Sequence, residues 1–115
     1  MQLHIKGQNL FLAPALIERV DRRLRFALSR FAERIERVTL RCADLNGPRG
    51  GVDKQCRIVV KLRPSGEVVI DDAATDLETA IDRGADRVQR AVVRALARMR
   101  ATDDSFTFVP PEDQS

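Results

Sequence analysis

The hydrophobic period changes along this chain in the order two, 3.6, two, two, two, 3.6, and few folds accept that order. Residues 2–6 place Leu3 and Ile5 on one face and Gln2, His4 and Lys6 on the other, a half-buried strand ended by Gly7-Gln8-Asn9. Pro14 suits the first turn of a helix. Leu16, Val20, Leu24, Ala27, Leu28 and Phe31 then follow at helical spacing and predict a helix over residues 14–32. Across residues 35–45, Val38, Leu40 and Cys42 alternate with Thr39, Arg41 and Ala43. Residues 55–63 are the clearest strand, with Cys56, Ile58, Val60 and Leu62 inward and Arg57, Val59, Lys61 and Arg63 outward. Pro64-Ser65-Gly66 turns the chain into a fourth strand, Val68-Val69-Ile70. Thr75 with Glu78 three residues on reads as a capping box that opens a long helix ending near Arg100.

This β-α-β-β-β-α order predicts an α+β, two-layer domain, a four-stranded sheet with two helices on one face. The last three strands are linked closely enough for antiparallel hairpins. The first reaches its neighbour through a helix and should lie parallel to it. The reading is one domain over residues 1–100 and a short, acidic, flexible tail over residues 101–115. Apolar residues make up 43% of the chain, enough for a core.

Charge narrows the function. The tail holds four of the 17 acids and none of the 20 bases, so the first hundred residues carry 20 bases against 13 acids, an excess of seven. A basic body with an acidic tail points to a polyanionic partner. Seventeen of the bases are arginine, which suits fork-like phosphate recognition, although a GC-rich genome gives the same bias. No apolar run approaches the roughly 20 residues that span a bilayer. Nothing at the amino terminus resembles an export signal, so the expected compartment is the cytoplasm. Cys42 and Cys56 are too few for a disulfide scaffold or a structural zinc site and read as small buried hydrophobes that face one another. No metal or cofactor is expected. Any His-dependent catalytic set would have to use His4, the one histidine, which falls on the outer sheet face, so an enzyme is the weaker class. The dyads Asp71-Asp72 and Asp103-Asp104 read as cap and tail.

The second helix carries the most informative pattern. Arg83, Arg87, Arg90, Arg94 and Arg98 fall within an arc of roughly 80° at 100° per residue. Leu77, Ile81, Val88, Val92 and Met99 occupy nearly the opposite side, and Glu78, Asp82 and Asp86 gather on one flank. Such a stripe is either a solvated face with i,i+4 pairs such as Asp86–Arg90 or a surface that follows a phosphate backbone. The alignment over four turns favours the second. On the first helix Arg19, Arg22, Arg23 and Arg30 lie away from the apolar stripe. Phe26 falls among them, either at the edge of the core or as an aromatic that stacks on a base or inserts under a protein loop. Between the second and third strands, Gly47-Pro48-Arg49-Gly50 spells the GxxG of KH domains but joins strands, not helices. It also lacks the lysine end of a P-loop. The loop offers Arg49 and Lys54 as phosphate contacts, or is a flexible turn.

The sequence resembles the ribosome hibernation-promoting factor family, also called ribosome-associated inhibitor A or sigma-54 modulation proteins. The residues that carry the resemblance are Met1-Gln2-Leu3-His4-Ile5-Lys6-Gly7, Ala15-Leu16, Gly66-Glu67-Val68 and Asp76-Leu77-Glu78-Thr79-Ala80-Ile81-Asp82, and it extends over residues 1–100. It implies a double-stranded-RNA-binding-like fold that enters the mRNA and tRNA channel of the small ribosomal subunit and stops translation without chemistry. The basic helix faces would touch ribosomal RNA, which points here to Arg22, Arg23, Arg83, Arg87, Arg90 and Arg94. Two departures stand out: the Gly-Pro-Arg-Gly-Gly insertion lengthens the loop between the second and third strands beyond the family's usual hairpin, and Glu78 stands where the family often has an aromatic. Long members carry a further dimerising domain that this chain ends before, so it should not pair ribosomes as they do. An RNA-recognition motif is excluded by element order and by Arg57, Val59 and Lys61 where its aromatics belong.

The function expected is a ribosome-associated translation inhibitor that acts by occupancy. The alternative is a protein-interaction regulator, for instance of a sigma factor, using the same basic surface. The expected partner is the small ribosomal subunit through its RNA, with self-association weak at most, and neither a membrane nor a small-molecule substrate.

Overall fold

The computed structural model describes the backbone of residues 1–45 and 53–107 and the side chains of 1–45 and 53–101. Its elements are β1 (Gln2–Gln8), α1 (Pro14–Leu28), a 3-10 helix (Ser29–Arg34), β2 (Ile35–Asp44), β3 (Lys54–Leu62), β4 (Glu67–Ala74) and α2 (Leu77–Thr107). The expected β-α-β-β-β-α order and α+β class hold. The sheet runs β1-β2-β3-β4, with β1 parallel to β2 and the two hairpins antiparallel.

Alternation sets the sheet's two faces. Val38, Leu40, Cys42, Cys56, Ile58, Val60 and Leu62 are buried under the helices, and the residues between them point away. Ile35 joins the inner face because the register shifts between Ile35 and Arg37, a bulge that lets residues an even and an odd step apart share one side. The helices complete the core with Val20, Leu24, Ala27 and Leu28 from α1 and Ala80, Ile81, Ala85, Val88 and Val92 from α2. Gly84 lets α2 settle close to β3: a β-carbon there would lie 3.0 Å from Ile58 Cδ1 and 3.3 Å from Cys56 Sγ. Cys42 and Cys56 are register partners, buried and free. Burial pushes the Cys42 thiol up to about 11 and, with its neighbours' charges added, Cys56 up to about 12. Both are inert fillers, as expected.

Four boundaries differ from the sequence reading. The α-helix of α1 stops at Leu28 and tightens into the 3-10 turn, so the periodicity through Phe31 spans two helix types. The fourth strand extends through Asp71-Asp72, which therefore form no cap. The N-cap of α2 is Asp76, not Thr75: Asp76 Oδ1 accepts from the Thr79 N–H at 2.8 Å and Oδ2 from the Thr79 hydroxyl at 2.8 Å. Asp76 has the shorter path to the N3 amide, and these bonds hold its carboxyl below the usual carboxylate range. Finally, α2 continues past Arg100 to Thr107, because no glycine or proline interrupts it before Pro110.

Candidate nucleic-acid interface

The acids on the flank of α2 face α1. Arg19 makes a two-pronged bridge to Glu78 at 3.0 and 3.1 Å, and Arg23 reaches Asp86 at 2.7 Å and Asp82 at 3.9 Å. Two arginines four apart on α1 thus answer three acids four apart on α2. These bridges align the helices, and they replace the Asp86–Arg90 pair expected along α2 itself. Arg25 folds back on Asp21.

The arginine stripe of α2 divides in two. Arg83 and Arg87 turn toward the free edge of β4 and share the carboxylate of Asp72, at 3.0 and 3.3 Å. Arg83 also donates to the Ala73 carbonyl and Arg87 to the Asp71 carbonyl. These are alternate carbonyls of an edge strand, so the two guanidinium groups satisfy backbone acceptors that would otherwise invite another strand. Asp72 is only 11% exposed. Burial alone would raise its pKa, but the Ala73 N–H and the Arg87 and Arg83 guanidinium groups outweigh it and hold the carboxyl below its usual range. Arg90, Arg94 and Arg98, further along, are exposed and pair with no carboxylate among the described residues.

On α1, Arg22 is exposed and equally unpaired, and Arg30 lies over the Phe31 ring, 5.1 Å from its centroid. Phe26 is 81% exposed, so it is not an edge of the core. It borders a groove between the helices lined by Leu16, Val20, Ile81 and the arginines Arg19, Arg22 and Arg23. The acids Glu78 and Asp82 line the same groove.

The other predicted contacts fare differently. Arg49 lies outside the described residues. Lys54 is largely covered, with Nζ 3.1 Å from Asp53 and 3.4 Å from Asp44. Its bond to Asp53, more than offsetting burial and aided by Asp44, raises its pKa. Asp72 is the residue the sequence reading missed. The sequence reading took it as part of a cap, and only the return of α2 beside β4 brings it to Arg83 and Arg87.

The site thus lies on a two-layer α+β domain whose second helix presents exposed arginines that meet no carboxylate among the described residues. Comparison with known proteins sharpens this. The profile of the Sigma 54 modulation protein / S30EA ribosomal protein family matches residues 3–100, and the chain belongs to that family. Among solved structures it is similar to the Protein Y N-terminal domain of Thermus thermophilus, at 27% identity and TM-score 0.66, covering 82% of this chain and 98% of that one. It also shares the fold of a ribosomal subunit interface protein from Coxiella burnetii, at 19% identity and TM-score 0.70, covering 84% and 99%. No curated protein sequence matches the chain.

Proposed function

We propose that this protein is a cytoplasmic, ribosome-associated inhibitor of translation that binds small-subunit ribosomal RNA in the channel for mRNA and tRNA. It acts by occupancy and performs no chemistry. The observation that carries this reading is that Arg90 and Arg94 on α2 are exposed and meet no carboxylate among the described residues, in a fold that belongs to a ribosomal protein family. Cations held in water without a carboxylate are available to displace counterions from a phosphate backbone. Arg22 extends the same outer surface on α1. Arg23, Arg83 and Arg87 are held by acids, so they position their helices and offer phosphates only the donors left over. Phe26 supplies a large exposed ring on the helical face, fit to stack on an unpaired base between arginines.

Sedimentation tests the reading. Mixed with purified small subunits at low salt, the protein should travel with them and be released as salt rises. A protein that stays in the ribosome-free fraction at low salt, while retaining a protein partner in a pull-down, would favour the protein-regulator alternative.

A further inference from the structure

The face of the sheet opposite the helices breaks a rule of sheet stability. Across the strands, one register row reads Lys6, Arg41, Arg57, Asp71, and a second reads Gln2, Arg37, Lys61, Glu67. In the first row cations stand directly opposite cations on β1, β2 and β3, and in the second Arg37 stands opposite Lys61, while the acids of both rows sit on β4. Like charges at such positions are destabilising. Only Arg57 is answered by an ion pair, to Asp71 at 2.8 Å. Lys6, Arg37, Arg41 and Lys61 form no ion pair among the described residues, and together with Thr39, Val59 and one acid, Glu67, they line a shallow depression. Neighbouring strands lie about 4.8 Å apart and Arg37 and Arg41 are about 13 Å apart along β2, so these four cations occupy one compact patch.

We propose that this face is a second RNA-binding surface, so that the protein bridges two segments of phosphate backbone, one on its helices and one on its sheet. The proposal goes beyond the helical reading of function and does not depend on it. An arrangement that costs stability in the free protein and is relieved by a polyanion marks a binding site. The central row of the patch, His4, Thr39, Val59 and Val69, offers no large anchor of the kind that protein interfaces are built on, whereas forked guanidinium groups and ammonium groups at close spacing suit phosphates. No part of the chain covers the patch among the described residues, because both helices pack on the other side.

The test uses the whole chain and two RNA hairpins, one biotinylated and one fluorescent. The natural protein should carry the fluorescent hairpin onto streptavidin beads. The variant K6Q/R41Q/K61Q should still bind a single hairpin, yet its co-capture should fall by about tenfold or more, since each lost phosphate contact also lowers the salt slope by about 0.7–0.9. Without RNA the same variant should melt at a higher temperature than the natural protein, because the opposed charges are gone. A separate helix variant, R90Q/R94Q, should lose its share of single-hairpin affinity, so the two faces are read independently. Co-capture undiminished in K6Q/R41Q/K61Q, or absent from the natural protein, would overturn the proposal. So would a variant that bridges RNA normally but loses binding to polyglutamate, which would assign the face to an acidic protein.

Discussion

Replacing Arg90 and Arg94 by glutamine separates binding from folding more cleanly than any other change to the helical face. Both side chains are exposed and break no ion pair among the described residues when neutralised. Glutamine is nearly as good a helix former as arginine, so the melting temperature should move by no more than about 2 °C. Each arginine lost from a phosphate should reduce the slope of log affinity against log salt by about 0.7–0.9, so the pair should reduce it by about 1.4–1.8. Fluorescence anisotropy of a labelled small-subunit RNA fragment, titrated at several salt concentrations, reads that slope directly. The comparison variant is R83Q/R87Q, whose guanidinium groups are occupied by Asp72 and the carbonyls of β4. It should lower the melting temperature more and the salt slope less. If R90Q/R94Q folds normally and keeps the natural slope, those arginines are a solvated face and the argument from unpaired charge is wrong.

Three further outcomes follow from the packing and the charges. Asp72→Asn should cost about 1–2 kcal/mol at neutral pH, as charge-assisted bonds to two half-exposed arginines weaken. Because the folded pKa of Asp72 is depressed, that stability is present above the ordinary value near 4 and is lost as pH falls toward the lowered one. Melting curves of variant and natural protein should therefore converge below about pH 4 and not above it. Phe26→Ala should leave the melting temperature unchanged, since the ring is exposed, yet weaken binding to single-stranded RNA by about 1–3 kcal/mol with no change in salt slope. Gly84→Val should destabilise by about 1–3 kcal/mol in chemical denaturation, because its β-carbon already crowds Ile58 and Cys56 and the added methyl groups have nowhere to go.

The fold was legible because each element keeps one period for most of its length. Cys56 through Leu62 alternates without a lapse, and Cys42 and Cys56, both inward on strands joined by one loop, meet across the strands as expected. Boundaries failed where local chemistry competes with period. Thr75 and Asp76 both suit an N-cap, and only the geometry of the turn awards the bonds to Asp76. Ile35 sits on the inner face through a bulge that no two-residue period predicts. At the interface, helical spacing put the five arginines of α2 in one file, but spacing carries no information about the neighbouring strand. Asp72 takes two of the five because α2 folds back beside β4, a tertiary fact. The same holds for Glu78, Asp82 and Asp86, which spacing places on one flank of the helix and the fold makes the partners of Arg19 and Arg23.

Which surface of the protein meets the ribosome is the central question. A cryo-electron map of the protein added to vacant small subunits tests it in one measurement. The account predicts density in the channel for mRNA and tRNA, with the outer faces of α1 and α2 against ribosomal RNA and Arg22, Arg90 and Arg94 within reach of phosphates. Density outside that channel, or a protein seated there with both helices turned to solvent, would contradict it.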